Sequence, residues 1–289
     1  MNLSPALLVA NENSRGGAQI DPFIAALERG GVQIRRETCP DRDALGPLIR
    51  EAKDEVGCVI LGGGDGTMNA AAGALHETGL PLGILPLGTA NDLARTLGIP
   101  ADPADAARII LGGRTRTLDL GTVNEIPFFN VASLGLTVGV ARRLNGVLKR
   151  RLGILAYPVA AAAAVLRSGR FRATLRADGE EIAVETLQIA VGNGRYYGGG
   201  MLIEEGAAID DGMLDVYSLE PRWRWQLLFM ARAFRAGRHD GLNGVRSFRC
   251  RTIGVITRKP RNVCADGEIV TRTPANFAVL PQAVRVFVP

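Results

Sequence analysis

A run of glycines between an apolar segment and a helical segment is the feature that most limits what this chain can fold into. The sequence Leu61-Gly62-Gly63-Gly64-Asp65-Gly66-Thr67-Met68-Asn69 follows the apolar run 58–61 and precedes an alanine-rich helical stretch from Met68 to Leu75. Backbone N–H groups in such a turn can hold phosphate oxygens, and glycine lets the ligand come close. Because the lysine of a Walker A motif and the spacing of GxGxxG are both missing, we interpret the turn as a phosphate site of another type.

A second glycine turn repeats this arrangement. The sequence Pro86-Leu87-Gly88-Thr89-Ala90-Asn91-Asp92 follows the apolar run 81–86 and leads into a helix from Leu93 to Leu97. Each turn also has a simpler interpretation as a helix cap: Asp65 and Thr67 for a helix beginning at Met68, and Thr89 or Asn91 for the next one. Two such turns favour a bound nucleotide more than either turn alone.

Strand and helix signals alternate over the first 115 or so residues, which predicts a parallel sheet. The loops that begin at Asn11, Thr38, Gly62 and Gly88 each follow a predicted strand. Since ligands bind at the carboxyl ends of parallel strands, we expect these four loops to lie at one binding edge.

From about Thr117 the apolar residues follow a period of two, as in 171–176, 187–191 and 284–287. This pattern predicts an antiparallel, sandwich-like second domain, interrupted by helical segments at 141–166 and 222–238. We therefore predict a nucleotide-binding α/β domain over 1–117 and a β-rich second domain over 118–289. The last strand is a candidate to return to the first domain.

Charge and cysteine content narrow the class of protein. The net charge of +5, without a long basic block, does not indicate nucleic-acid binding but is compatible with anionic phosphates or an anionic membrane surface. Four scattered cysteines lack the spacing of a zinc site or a disulfide framework. The scattered cysteines favour a reduced setting, so we expect a cytoplasmic protein, with peripheral contact at the inner face of the membrane as an open option. No segment is long and apolar enough to span a bilayer.

The two turns and a series of further motifs resemble the diacylglycerol kinase catalytic family, and in particular its bacterial lipid kinases, which are also similar to sphingosine and ceramide kinases. The matching motifs, in the order of the family, are Asn11–Gly17, Gly63–Asn69, Pro86–Arg95, Asp119–Gly121, Phe129–Gly135, Gly192–Gly194, Tyr197–Met201, Ala208–Asp215 and Asp266–Glu268. They cover essentially the whole chain.

The resemblance implies an ATP- and Mg²⁺-dependent enzyme in which the first domain binds ATP and the β-rich domain over 118–289 holds the lipid substrate, with the site in the cleft between them. It implies a nucleotide held by Asn11, Thr38, Gly63, Gly64, Asp65, Gly66, Thr67 and Thr89, with Gly62, Asn69 and Asn91 in the same turns. It assigns magnesium to Asp211 with the backbone carbonyls of Ala208 and Met213. Glu268 would accept the proton of the lipid hydroxyl, as kinases use a carboxylate for this task, and Asp65 is the second catalytic candidate.

The residues around Glu268 do not indicate a catalytic role by themselves. Asp266-Gly267-Glu268 repeats the tripeptide Asp178-Gly179-Glu180, and Asp-Gly between alternating runs is first of all a tight hairpin turn. Only the position within the family's motifs distinguishes Glu268 from Glu180.

Several alternatives stay open at this point. One is a phosphotransferase similar to NAD kinase, which shares Gly-Gly-Asp-Gly-Thr, and another is a non-catalytic regulator that binds lipid or nucleotide. The acceptor is open among diacylglycerol, phosphatidylglycerol and sphingoid bases, and so is the oligomeric state. The amphipathic segment 222–232, which holds both tryptophans, is typical of a helix packed on the second domain and also of a membrane interface.

Overall fold

The computed structural model describes residues 5–10, 17–39, 41–136, 138, 169–194, 196–197, 201–202, 208–222 and 244–289. The predicted helical segment at 141–166 lies outside the described residues. So do Asn11 and, apart from Arg222, the segment 222–238.

The first part of the chain is a parallel α/β unit, as the alternation of signals predicts. Its elements are β1 (Ala6–Ala10), a 3₁₀ turn (Gly17–Gln19), α1 (Ile20–Arg29), β2 (Ile34–Glu37), α2 (Leu45–Glu51), β3 (Cys58–Gly63), α3 (Asp65–Thr78), β4 (Leu82–Pro86), α4 (Asp92–Leu97) and α5 (Pro103–Gly112). The strands lie in the order β2-β1-β3-β4, all parallel. Their carboxyl ends therefore share one edge.

Helices cover both faces of this sheet, which explains why its central strands are continuously apolar. Every residue of β3 and β4 is buried. Val59 and Leu61 face a core shared with α2 and α3, whereas Cys58 and Ile60 face a core shared with α1 and α5. Both faces of β3 are therefore buried, each in a different hydrophobic core.

The second part of the chain is an antiparallel β sandwich. Its strands are β5 (Thr115–Val123), β6 (Ile126–Phe128), β7 (Val131–Gly135), β8 (Phe171–Ala177), β9 (Glu180–Thr186), β10 (Gln188–Gly192), β11 (Tyr196–Tyr197), β12 (Met201–Leu202), β13 (Leu214–Leu219), β14 (Val245–Cys250), β15 (Thr252–Thr257), β16 (Asn262–Ala265), β17 (Glu268–Arg272) and β18 (Ala275–Phe287). One sheet has the order β14-β13-β10-β7-β16-β17 and packs against β18-β15-β8-β9, with a common core.

Strand β18 belongs to both parts of the molecule. It pairs antiparallel with β5 and β15, and at Val286 it pairs parallel with Leu82 of β4. The ring of His76 on α3 contacts the carbonyl of Ala283 at 3.1 Å, which further ties β18 to the α/β unit. The sheet consequently runs without interruption from β2 through β18 to β9, and residue 117 of the predicted domain boundary lies within β5.

Strand β10 differs from its predicted alternation, because all five of its residues are buried. Ile189 and Val191 face the sandwich core, while Ala190 lies in a smaller cluster with Leu187 and Tyr217 on the other face. A strand covered on both sides does not need polar residues at every second position.

Candidate active site

The two glycine turns meet at the carboxyl edge of the parallel strands. Strand β3 ends at Gly63 and β4 at Pro86, and the N–H of Leu87 donates to the carbonyl of Gly63 at 2.9 Å. Helix α3 begins directly after Gly64, so that the N–H groups of Asp65 and Gly66 are those that a helix leaves without an internal partner, while the N–H of Thr67 donates to the carbonyl of Gly64 at 2.9 Å. An anion at this position is favoured by those groups and by the helix dipole.

Close packing between the turns explains the glycines at their contact. A Cβ on Gly88 would lie 2.5 Å from the Cα of Gly64 and 2.6 Å from Oδ1 of Asn91. A Cβ on Gly62, which is a buried residue of β3, would lie 2.7 Å from the Cβ of Ala10. These glycines are therefore required by contacts within the protein, in addition to any room that they leave for a ligand.

The caps that the sequence suggested for these helices are wrong. Helix α3 begins at Asp65 instead of Met68, and no side chain caps it. The carboxylate of Asp65 instead accepts the N–H of Leu93, in the first turn of α4, at 3.1 Å. Asn91 does precede α4, but its side chain hydrogen-bonds the backbone of Gly88 in both directions, at 3.0 Å each. Neither side chain caps its own helix. Each hydrogen-bonds a backbone group of the second turn or of α4, because the two turns are in contact.

The hairpin between β16 and β17 reaches this edge from the second part of the chain. Asp266 and Gly267 have φ values of 43° and 94°, which a tight primed turn requires. The carboxylate of Asp266 accepts the N–H groups of Phe129, Asn130 and Val131 at 2.9–3.3 Å, and the N–H of Asp266 donates to the carbonyl of Val131. The turn is thereby fixed to the start of β7.

The carboxyl of Asp266 titrates abnormally. Burial raises its pKa from 3.8 to about 6, against the opposite effect of the three N–H donors, and the negative charge of Asp65 raises it further. That charge acts on Asp266 only because the glycine turn and the hairpin lie near each other. Asp65 from the first part of the molecule and Asp266 from the second are therefore two of the carboxylates of this site.

Glu268 begins β17, directly after the hairpin turn. Its carboxylate forms an ion pair with Arg42, a residue of the loop between β2 and α2. The guanidinium of Arg42 also lies over Gly66, where a Cβ would come within 2.8–2.9 Å of three of its atoms. Arg42 thus connects the first turn of α3 with the proposed proton acceptor.

The predicted magnesium residues lie elsewhere on the second part of the chain. Oδ1 of Asp211 accepts the N–H of Met213 at 3.0 Å, and Oδ2 pairs with Arg249 of β14. Arg249 also donates to Asp215 at 3.0 Å, and although burial opposes its charge, the two carboxylates raise its pKa. In this arrangement the guanidinium of Arg249 lies beside the Asp211 carboxylate, and the magnesium site of Asp211 with the carbonyls of Ala208 and Met213 stays a prediction. Within the described ranges no three acidic, histidine or cysteine side chains are grouped as metal ligands.

The other predicted residues are consistent with a position at the edge. Thr38 follows β2 and Thr89 lies in the second turn, and both are exposed. Oδ1 of Asn69 is buried without a hydrogen-bond partner within the part of the chain that is described. The structure thus brings Asp65, Gly66, Asn91 and Glu268 into one region.

Sequence analysis missed Arg42 and the role of Asp266. Arg42 lies in a polar loop that has no distinctive spacing, and its partners are distant in the chain. Asp266 belongs to a recognised motif, but its three donors are 135–137 residues away. Only the antiparallel pairing of β16 with β7 brings them together.

Comparison with known proteins agrees with this architecture. Residues 5–123 match the family described as diacylglycerol kinase catalytic domain, and residues 130–288 match the family described as YegS C-terminal NAD kinase beta sandwich-like domain. The chain therefore belongs to the lipid kinases that combine these two domains, and it is a lipid kinase enzyme.

Individual relatives cover most of the chain. It is 35% identical over 274 residues to a protein named diacylglycerol kinase from Mycobacterium tuberculosis, which includes 92% of this chain and 88% of that protein. It is 32% identical over 296 residues to a protein named probable lipid kinase YegS-like from Pseudomonas aeruginosa, which includes 100% and 96%. A solved structure described as a diacylglycerol kinase from Bacillus anthracis has the same fold, with a TM-score of 0.85 at 23% identity over 100% of this chain and 98% of that one.

None of the helices in the described part of the chain is long and apolar enough to cross a membrane.

Proposed function

We propose that this lipid kinase uses ATP and Mg²⁺ to transfer the γ-phosphate to the hydroxyl of a membrane lipid, with diacylglycerol as the first acceptor to test. The name of the relative at 35% identity, diacylglycerol kinase, favours diacylglycerol, and phosphatidylglycerol and sphingoid bases are the further candidates. The proposed place of action is the membrane surface in the cytoplasm. Nucleic acid is not a proposed partner.

The observation that carries this proposal is the position of Glu268 beside the first turn of α3. A hydroxyl that reaches this carboxylate is also next to the N–H groups that would hold the phosphates. A general base has to lie within hydrogen-bond reach of its proton, and a phosphate has to lie in line with the attacking oxygen. One guanidinium, that of Arg42, pairs with Glu268 and lies over Gly66, and this shared neighbour supports both requirements.

The residues of the chain would divide the reaction between them. The N–H groups of the first turn of α3 and of the two glycine turns would bind the phosphates and orient the γ-phosphorus. The lipid oxygen would form the new bond to phosphorus, and the bond from phosphorus to the β–γ bridging oxygen would break, its electron pair leaving with ADP. Glu268 would take the hydroxyl proton, so that charge and atoms balance.

Magnesium has a separate place in the proposal. When bound with ATP it would neutralise phosphate charge. Asp211 could contribute to a cation site only after Arg249 leaves its carboxylate, and we assign no step to that site.

The experiment compares lipid phosphorylation by the wild type, Glu268→Gln and Glu180→Gln. Each protein is incubated with Mg-ATP and mixed micelles that contain diacylglycerol, phosphatidylglycerol or sphingosine, with NAD in a parallel reaction, and products are identified by mass spectrometry. We expect a phosphorylated lipid from the wild type and at least a 100-fold loss in Glu268→Gln. Glu180→Gln is the matched control, because it changes the same residue of an identical hairpin tripeptide and should retain activity.

Two results would contradict the proposal. Phosphorylated NAD without phosphorylated lipid would identify a different acceptor class. Full lipid turnover by Glu268→Gln would remove the carboxylate from the mechanism while leaving the lipid kinase reaction in place.

A further inference from the structure

Arg42 is held in a defined position at the proposed phosphate site. Its loop is ordered by a hydrogen bond from the N–H of Ala44 to Asp41 at 2.9 Å, and by one from the N–H of Leu45 to the carbonyl of Arg42 at 3.2 Å. From this loop the side chain extends over Gly66 to Glu268. It therefore contacts both parts of the molecule at the glycine turn.

The location of this cation is unfavourable without an anion. The N-terminus of a helix carries partial positive charge, and a guanidinium next to Gly66 lies in the first turn of the 14-residue helix α3. Glu268 supplies a negative charge in the structure. A phosphate in the same place would satisfy the helix N–H groups and the guanidinium together.

The ion pair with Glu268 is easily exchanged for another. The side chains of Arg42 and Glu268 are 56% and 50% exposed, so that water screens their attraction. A terminal phosphate carries more charge and offers two oxygens to the planar guanidinium, which is the geometry that arginine binds best.

We propose that Arg42 exchanges partners during the reaction: it pairs with Glu268 before nucleotide binding, and it binds the terminal phosphate of the nucleotide afterwards. This rests on the proposed function, since it takes the glycine turn as the phosphate site and Glu268 as the base. Binding of a triphosphate then frees the carboxylate to accept a proton. Arg42 is a phosphate-binding and positioning residue in this scheme.

The experiment measures nucleotide affinity in the absence of lipid. Calorimetry with the non-hydrolysable analogue AMP-PNP and with AMP, both in Mg²⁺ buffer, is done on the wild type, Arg42→Ala, Arg42→Lys and Arg176→Ala. The last is the matched control, because Arg176 forms a similarly exposed pair with Glu181 on the β8–β9 hairpin. We expect Arg42→Ala to bind AMP-PNP about 10-fold more weakly and AMP unchanged, Arg42→Lys to fall between, and the control to match the wild type.

The exchange itself is tested with Glu268→Gln and the double variant. Removing the charge of Glu268 releases Arg42, so Glu268→Gln should bind AMP-PNP several-fold more tightly than the wild type. In Arg42→Ala/Glu268→Gln this gain should vanish. A structural role alone would not produce an increase in affinity that depends on both residues.

The outcomes separate this inference from the proposed function. The inference is wrong if Arg42→Ala binds AMP-PNP as tightly as the wild type, or if it loses affinity for AMP as much as for AMP-PNP. It is also wrong if Glu268→Gln does not bind AMP-PNP more tightly than the wild type. These conclusions hold even if lipid is phosphorylated. A wild type that does not distinguish AMP-PNP from AMP would overturn it as well. If Arg42→Ala loses AMP-PNP selectively while no lipid is phosphorylated, the role of Arg42 in binding phosphate stands and the proposed acceptor is wrong.

Discussion

At the scale of single residues, Asp266 and Asp178 occupy the same place in two hairpins with the same backbone. Their φ values are 43° and 47°, and the glycine that follows each has a φ of 94°. Asp178 is exposed and contacts Thr252 at 3.4 Å, whereas Asp266 accepts three backbone N–H groups at the start of β7. The two aspartates thus have the same backbone conformation, and only the groups around Asp266 make it part of the candidate site.

The raised pKa of Asp266 predicts how stability depends on pH. At pH 5 the folded protein keeps a proton on Asp266 that the unfolded chain, with a pKa near 3.8, has lost. This contribution to the free energy of unfolding is present in full below pH 3.8. As the pH rises through about 6, the free energy of unfolding falls by on the order of 2–3 kcal/mol. Denaturant unfolding from pH 4 to 7 should show the decline in the wild type and in Asp178→Asn but not in Asp266→Asn. Parallel curves for all three proteins would contradict it.

Asp65 has a structural and a chemical role that two substitutions separate. Asparagine retains an oxygen that can accept the N–H of Leu93, so Asp65→Asn should keep the stability of the wild type but lose turnover. Alanine removes the acceptor, so Asp65→Ala should also lose about 1 kcal/mol through the missing cap of α4. Thermal unfolding and a lipid phosphorylation assay measure the two effects. Near wild-type turnover in Asp65→Asn would leave Asp65 only the role of a cap.

At the scale of elements, the contact between the glycine turns sets the spacing between α3 and α4. We expect Gly88→Ala to destabilise the protein by about 1–3 kcal/mol and to weaken AMP-PNP binding, because its Cβ would meet the backbone of Gly64 at 2.5 Å. Gly112→Ala at the end of α5 is the control, since a Cβ there meets no atom within 4 Å. Chemical denaturation and calorimetry provide the two readouts. If Gly88→Ala is as stable as the wild type, the two glycine turns can move apart to admit the Cβ without a loss in the free energy of unfolding.

Elements were more predictable than the contacts between them. Apolar runs with glycine at their ends determine β3 and β4 locally, and parallel order follows from the alternation of strands and helices. The start of α3 at Asp65 was missed because its cap is not made by any side chain of the turn. The pair of Arg42 and Glu268 could not be predicted either, because it depends on two loops that lie 226 residues apart (268 − 42) in the chain.

At the scale of the whole molecule, β18 joins the parallel unit to the sandwich, and we expect the two parts to unfold together. Val216 is buried in the sandwich core, and Val216→Ala should cost roughly 2 kcal/mol. Hydrogen exchange should show the same reduction in opening free energy for the amides of β3 as for those of β10. Val59→Ala in β3 provides the reciprocal control. A reduction confined to β10 would mean that the two parts unfold independently.

The place of β18 in the sheet also has a consequence for synthesis of the protein. Strand β4 acquires its second neighbour only when residue 286 is available, 200 residues after the end of β4 at Pro86. The parallel sheet that carries both glycine turns therefore cannot be completed while the ribosome is still translating the sandwich. During that time the edge of β4 is open to pairing with other chains, and a chaperone that shields it would raise the yield of active enzyme.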